Sequence, residues 1–363
     1  MPEFRTGPVT VRPPATSANL GPGFDAFGLA LELRDEVTVE AFDDASAAAA
    51  DGSGLSVEVL GEGAGEVPLD ERHLLVRSLR AAFDLLGGQP AGLRVRCVNR
   101  IPHGRGLGSS SAAICAGLVA ARALVEGGDK LLDDEALLDL ATRIEGHPDN
   151  VAPCLAGGLT IAWTTTGEQD GPGPAPAAPH AQGPASKENP EAAGTPGAHE
   201  HCGPPEAVAT RAHALRLDPV PELCPVVFIP AAALATAVAR GLLPAEVPHR
   251  DAAFNAGRAG LLVAALTQPG LTPHHRSVLL YAGTRDRLHQ GYRAPAMPDS
   301  AALVEQLSAL RIPAAVSGAG PTVLALAVGA GQAREALEHA PADVTAMIAA
   351  VAAEGVVVQY RAA

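Results

Sequence analysis

The chain reads as an α+β fold in two lobes, and three observations carry that reading. Strand-like runs such as EVTVEAF and LSVEVLG follow one another without helices between them, which favours antiparallel pairing. The length, 363 residues, exceeds the ~100–200 residues usual for one domain. A composition break at residues 167–206, rich in Pro, Gly and Ala and nearly empty of large apolar side chains, separates the halves. Such a segment cannot bury enough surface to offset its ordering entropy and is expected to be a disordered insertion. The expected divisions are therefore 1–166, 167–206 and 207–363.

In chain order, VTVRPPATSANLGPGFDAFGLALEL is read as a strand, a glycine-rich turn and a second strand. EVTVEAF and LSVEVLG are strands by alternation and β-branched content. HLLVRSLRAAFDLLGG has helical apolar spacing and a glycine stop. GLRVRCVNRIP is a strand that feeds the loop GRGLGSSSAA, after which Ser110 to Val125 forms a small-residue helix. DDEALLDLATRIEGHP is a helix with an acidic start, stopped by Gly-His-Pro, and GGLTIAW is a strand. Beyond the break, RAHALRLD and PVVFIP are strands, ALATAVARGLLP is helical and HRDAAFNAGRAGLLVAALTQ is a long helix. The tail predicts a helix (PDSAALVEQLSALR), a strand and turn (AAVSGAG), a strand (TVLALAVG), two Ala-rich helices and a final strand (GVVVQYRA).

Composition narrows the chemistry. A net charge of −14 argues against nucleic acid, which is gripped by clustered Lys and Arg. Lys130 and Lys187 are the only lysines, so phosphate chemistry would rest on backbone N–H groups, arginines and a divalent cation. Five cysteines without C-x-x-C spacing argue against a disulfide framework or zinc site. His180, His199 and His201 near Cys202 read as incidental residues of the insertion. With neither a signal peptide nor a ~20-residue apolar run, a cytoplasmic protein outside the membrane is expected.

The loop GRGLGSSSAA is the strongest chemical feature. Its glycines let several N–H groups converge and the following helix adds its dipole, which suits a phosphate. Ser109, Ser110 and Ser111 add hydroxyls, one of which could meet Mg²⁺. The run is neither a Walker A loop nor G-x-G-x-x-G, and the plainer alternative is a helix N-cap with a flexible lead-in. In EGHPDNVAP, Glu145 is either a metal-facing carboxylate or a solvated helix end, and Asn150 either a substrate contact or an N-cap. His147 reads as part of the helix stop and is given no role. Asn19 and Asp25 flank a glycine turn, either binding a ligand or forming an Asx turn. Arg240 and Arg293 are candidates for a bidentate carboxylate clamp or simply surface arginines.

PATSANLGPGFDAFG, IPHGRGLGSSSAA, EGHPDNVAP and VSGAGPTVLA, in that order, resemble the GHMP kinase superfamily, and the first and third stretches look most like its homoserine kinase branch. The resemblance spans nearly the whole chain outside 167–206. It implies a ribosomal-protein-like N-terminal lobe that binds ATP, a ferredoxin-like C-terminal lobe, and transfer of phosphate from ATP, with Mg²⁺, to the side-chain hydroxyl of L-homoserine. By motif position, it implies that Pro102, His103, Gly104, Arg105, Gly106, Leu107, Gly108, Ser109, Ser110 and Ser111 wrap the ATP phosphates. It also implies that Gly318 and Gly320 line the nucleotide side and that Ser109 and Glu145 hold Mg²⁺. The substrate would meet Asn19, Asp25, Asn150, Arg240 and Arg293, with Asp25 at its ammonium and the arginines at its carboxylate, while Thr236 lies near the γ-phosphate. Several superfamily members carry an aspartate base where this chain has Asn150, so the comparison implies direct attack by the hydroxyl. The resemblance also makes a homodimer an expectation. His73 replaces the family's usual asparagine near adenine, and QGYR replaces EPYR around Arg293. The rival readings are a related kinase for mevalonate, shikimate or an isoprenoid precursor, and a ligand-binding relative without catalysis.

Overall fold

The structure is a computed structural model that describes residues 2–49, 52–166 and 210–360. The expected insertion at 167–206 lies outside the described residues. Met1–Trp163 and Ala212–Ala363 form one compact unit, and Thr164–Arg211 groups separately, with only its strand ends described.

Three sheets organise the chain. The first has five strands in the order Val357–Tyr360, Val9–Arg12, Glu36–Phe42, Gly92–Asn99 and Leu55–Gly61. Its pairs are antiparallel except the last, which is parallel. The second is fully antiparallel: Ala314–Val316, Val323–Val328, Leu223–Pro230 and Val344–Ile348. The third runs Pro14–Ala18, Phe27–Arg34, Leu159–Thr166 and Thr210–Leu217. The expectation of mainly antiparallel pairing therefore holds, with one parallel exception.

Helices cover the first sheet because each presents one apolar face. Leu74–Leu85 buries Leu75, Val76, Leu79, Ala82 and Phe83, spaced as one helical stripe. It crosses Ser109–Leu124 closely, since a Cβ on Gly117 would lie 2.6 Å from the Leu75 carbonyl oxygen. The small-residue composition of that second helix is what permits this approach. A separate core joins the second sheet to Pro298–Ala309 and Gly329–Glu338 around Phe228. Between these cores lies a third, drawing on Leu29, Ile101 and Leu107 from early in the chain and on Leu262, Leu266, Leu280 and Leu324 from late in it.

Two local expectations change. Gly146 does end the helix Asp134–Glu145, but Pro148 immediately opens another, Pro148–Ala156. Proline is well suited to a first helical turn, so the same residue serves as a stop and a start. Asn150 therefore lies inside this helix and is not its N-cap. The second of the two Ala-rich helices expected in the tail is instead the strand Val344–Ile348, paired with Leu223–Pro230. Its alternating Val344, Ala346 and Ile348 complete the edge of a sheet, and that packing outweighs the helix preference of neighbouring alanines.

Candidate active site

The loop at 101–108 is held from several sides. The Asp35 carboxylate accepts from the backbone N–H groups of Arg100 at 2.6 Å and Ile101 at 2.9 Å. Burial raises the Asp35 pKa, against the lowering effect of those two bonds. The carbonyls of residues 104–107 are all taken by other segments: Gly104 by Leu234 N–H, Arg105 by Thr322 N–H, Gly106 by the Ser317 hydroxyl and Leu107 by Thr16 N–H. At Gly106 and Gly108 φ is positive, and added Cβ atoms would lie 2.3 Å from Ser317 O and 2.0 Å from Thr16 Oγ1. No side chain caps the helix Ser109–Leu124 that follows. Its first N–H groups thus stand at the mouth of a cavity, in the arrangement that binds anions.

That cavity has a volume of about 200 Å³ and a strongly polar wall. Gly104, Gly106, Gly108, Ser109 and Ser110 form the loop side. Glu145, His147, Asp149 and Asn150 come from the junction of two helices. Asn19, Asp25, Thr236, Arg240, Arg293 and Gly318 close the remainder. A second cavity of about 360 Å³ shares Gly104, Ser109 and Ser110 and continues past His103 to an apolar wall that includes Val67, Pro68, Leu74 and Leu75.

The charged groups are tightly arranged. Arg240 makes a bidentate pair with Asp25, at 2.9 and 2.7 Å. Hydrogen bonding to Asp25 is the largest influence that raises the Arg240 pKa. Arg293 is buried, and desolvation followed by the nearby Arg240 charge lowers its pKa. Both guanidiniums lie over the Phe24 ring, at 5.8 and 5.3 Å from its centroid. Buried His289 donates from Nε2 to the Gly21 carbonyl at 2.7 Å and accepts at Nδ1 from Arg293 at 3.3 Å. Desolvation keeps its pKa low, which suits this neutral tautomer.

Asn19 works mainly as a brace. Its Oδ1 accepts from Asp25 N–H at 2.9 Å and its Nδ2 donates to the Gly318 carbonyl at 2.8 Å. Asn19, Leu20 and Asp25 all have positive φ, so the turn is strained and aims Asp25 into the cavity. Glu145 Oε1 accepts from both Ser110 Oγ and Ser111 Oγ at 2.7 Å. Ser109, the hydroxyl expected beside Glu145, lines both cavities, but Ser110 and Ser111 are the ones bonded to it. Asn150 Oδ1 accepts from Thr16 Oγ1 at 2.8 Å.

Other expected loop contacts point elsewhere. The Arg105 side chain turns to the Ala231 carbonyl and Glu62, and Leu107 is buried in the core. Pro102 lines neither cavity, while Gly320 stands behind the loop with its φ positive. Sequence reasoning passed over His147 and Asp149, whose side chains hydrogen-bond to each other at the cavity wall. Burial works to lower the His147 pKa, but the bond and charge of Asp149 and the charge of Glu145 outweigh it, so the pKa is raised. The signal was present as H-x-D before an apolar run, obscured because Gly-His-Pro also ends a helix.

The description GHMP kinases N terminal domain matches residues 73–158, and GHMP kinases C terminal matches residues 263–344. A homoserine kinase of Streptomyces avermitilis is 55% identical over 326 residues, covering 90% of this chain and 88% of the relative. The chain belongs to the GHMP kinase family. A homoserine kinase of Clavibacter michiganensis is 43% identical over 355 residues, 97% of this chain and 94% of the relative. The crystal structure of a homoserine kinase from Cytophaga hutchinsonii superposes with a TM-score of 0.69 at 22% identity, covering 98% and 99% of the two chains. At that identity the superposition speaks for the GHMP kinase fold. Among the described residues no helix is long and apolar enough to cross a membrane.

Proposed function

We propose that this chain transfers the γ-phosphoryl group of ATP to the side-chain hydroxyl of L-homoserine, giving O-phospho-L-homoserine and ADP for threonine biosynthesis. The observation that carries the reading is the Asp25–Arg240 pair with Arg293 behind it, in the same cavity as the uncapped helix at Ser109. A zwitterionic amino acid matches such a pair, its ammonium toward Asp25 and its carboxylate toward the guanidiniums. Mevalonate, which has no ammonium, would leave Asp25 without a cationic partner from the acceptor. The apolar second cavity suits adenosine, with the loop between it and the acceptor holding the phosphates. His73, buried and with a lowered pKa, accepts from Leu75 N–H at its helix N-cap and presents a neutral ring there.

The Glu145 carboxylate and the hydroxyls bonded to it form an oxygen donor set of the kind Mg²⁺ takes together with substrate phosphates. No group of three or more His, Cys, Asp or Glu positioned to hold a metal occurs among the described residues. Glu145 and Ser110, with Ser109 beside them, would hold the ion. When bound, it supplies positive charge against the β- and γ-phosphate oxygens.

In the transfer, the homoserine hydroxyl oxygen forms a bond to the γ-phosphorus as the bond to the β,γ-bridging oxygen breaks. ADP takes the electron pair of that bond. The hydroxyl proton passes to an oxygen of the transferred phosphoryl group, and the Asn150 amide, at the position where several related kinases carry an aspartate base, has no basic lone pair to take it. A loose transition state asks chiefly for alignment and charge neutralisation, which the loop N–H groups, Thr236 and the arginines provide. The test is ADP release measured over homoserine, mevalonate, shikimate and no acceptor. Release with homoserine alone is expected. Release with mevalonate but not homoserine would overturn the acceptor, and nucleotide binding without turnover on any acceptor would favour a non-catalytic binding protein.

A further inference from the structure

On the outer side of the segment that carries Arg293 lies a larger cavity, of about 690 Å³. Arg258, Arg285, Arg287 and Arg311 line it, together with Phe254 and Tyr281. The guanidiniums are paired on the two rings: Arg258 and Arg287 lie 4.7 and 4.0 Å from the Phe254 centroid, and Arg285 and Arg311 lie 5.5 and 5.0 Å from that of Tyr281. Stacking of this kind fixes a guanidinium plane while leaving its N–H edge for a ligand.

The charge here is poorly compensated. Arg287 pairs with Asp251 at 3.0 Å, and Arg285 donates to Ser308 Oγ at 3.1 Å. Among the described residues Arg258, Arg285 and Arg311 form no ion pair. The carboxylates on the wall are Glu305 and Asp286. Asp286 is fully enclosed and already accepts from Asn255 Nδ2 and the backbone N–H groups of Leu288, His289 and Gln290. A chain of net charge −14 that gathers four arginines around one cavity has concentrated its cations against its own average.

We propose that this cavity binds a small polyanion, a metabolite with two or more phosphate or carboxylate groups, and that binding tunes the acceptor site. The connection is short. Gln290 and Gly291 line the basic cavity, whereas Arg293, in the same short helix Gln290–Arg293, lines the catalytic one. Gln290 Oε1 accepts from Val316 N–H at 2.6 Å. Val316, also on the basic wall, lies two residues before Gly318, whose carbonyl accepts from both Asn19 and Arg293. An anion drawn against Arg258 and Arg311 would thus touch the two segments that hold Arg293.

The test uses the full chain with a non-hydrolysable ATP analogue filling the nucleotide site, and calorimetric titration with pyrophosphate in one arm and citrate in the other. One further equivalent of at least one probe is expected to bind. Arg258→Gln with Arg311→Gln should weaken it about tenfold or more, the scale for a lost charge-assisted hydrogen bond, while Arg258→Lys retains part of it. The arm that binds tells phosphate from carboxylate chemistry. In steady-state assays the probe should shift the KM for homoserine in the wild type and not in the double variant, whose activity without probe is unchanged. Binding that is absent, or equal in wild type and double variant, overturns the site. A double variant that instead turns a dimer into a monomer, with no anion bound by either protein, overturns it in favour of a contact between copies. The binding arm stands whatever the acceptor is, so its failure is distinguishable from a failure of the homoserine assignment.

Discussion

Glu145 gathers two serine hydroxyls on one oxygen while standing at the cavity wall, so its removal should cost chemistry and not the fold. Glu145→Ala is expected to keep the far-UV circular dichroism of the parent and to lose about 10²-fold in kcat, the scale for one preorganised electrostatic group. Arg240→Leu removes a bidentate partner and should raise the KM for homoserine by about tenfold or more while leaving the KM for ATP near its parent value. His147 makes a pH-dependent contribution to stability. Its pKa is raised in the folded chain, so the stability gained from Asp149 is complete below the unfolded histidine value of about 6.5 and fades as pH climbs through the raised one. Urea unfolding of wild type and His147→Gln should therefore differ more at about pH 6 than at about pH 9. Asp25, Glu145 and the two arginines came into view only through the family resemblance of their motifs, since each by itself also allowed an Asx turn, a solvated helix end or a surface arginine. The mutual pairing of Asp25 with Arg240 was not legible, since 215 residues separate them and no local rule joins such positions.

The glycine-rich loop illustrates what a single element demands of its residues. Gly106 needs positive φ and faces Ser317 O, so an alanine there meets backbone on the opposite turn. Strain of about 1–3 kcal/mol at such a position corresponds to roughly 5–150-fold in an equilibrium. Gly106→Ala should accordingly raise the KM for ATP within that range, a change measurable by initial rates at saturating homoserine. Glycine spacing made this loop readable from the chain alone. Which serine meets Glu145 was not readable, because three consecutive hydroxyls differ only in helical phase, and that phase depends on where the helix begins. The helix at Pro148 was obscured by a similar ambiguity: one proline can end a helix or start one. Val344–Ile348 was misread because the alanines around it favour a helix in isolation, whereas the exposed edge of Leu223–Pro230 decides the matter.

For the molecule as a whole, the middle core raises the question of how independently the two halves stand. Leu29, Ile101 and Leu107 share it with Leu262, Leu266, Leu280 and Leu324, so neither the early nor the late residues bury this surface alone. The same contacts back the candidate active-site cavity, because Leu107 belongs to the glycine-rich loop and Leu280 precedes the turn that meets Gly21. Proteins of this size often unfold in steps, domain by domain. A shared core opposes that by making exposure of either half costly to the other. Trp163 is the sole tryptophan, stacked 5.3 Å from the His213 ring, and reports on one place, while circular dichroism reports on all the sheets and helices. The two signals should follow the same urea transition. Leu266→Ala should lower the stability by about 2–5 kcal/mol and move both signals together. A substitution that shifted the circular dichroism transition and left that of Trp163 in place would mean that the halves unfold separately, and that the middle core is a contact surface between them.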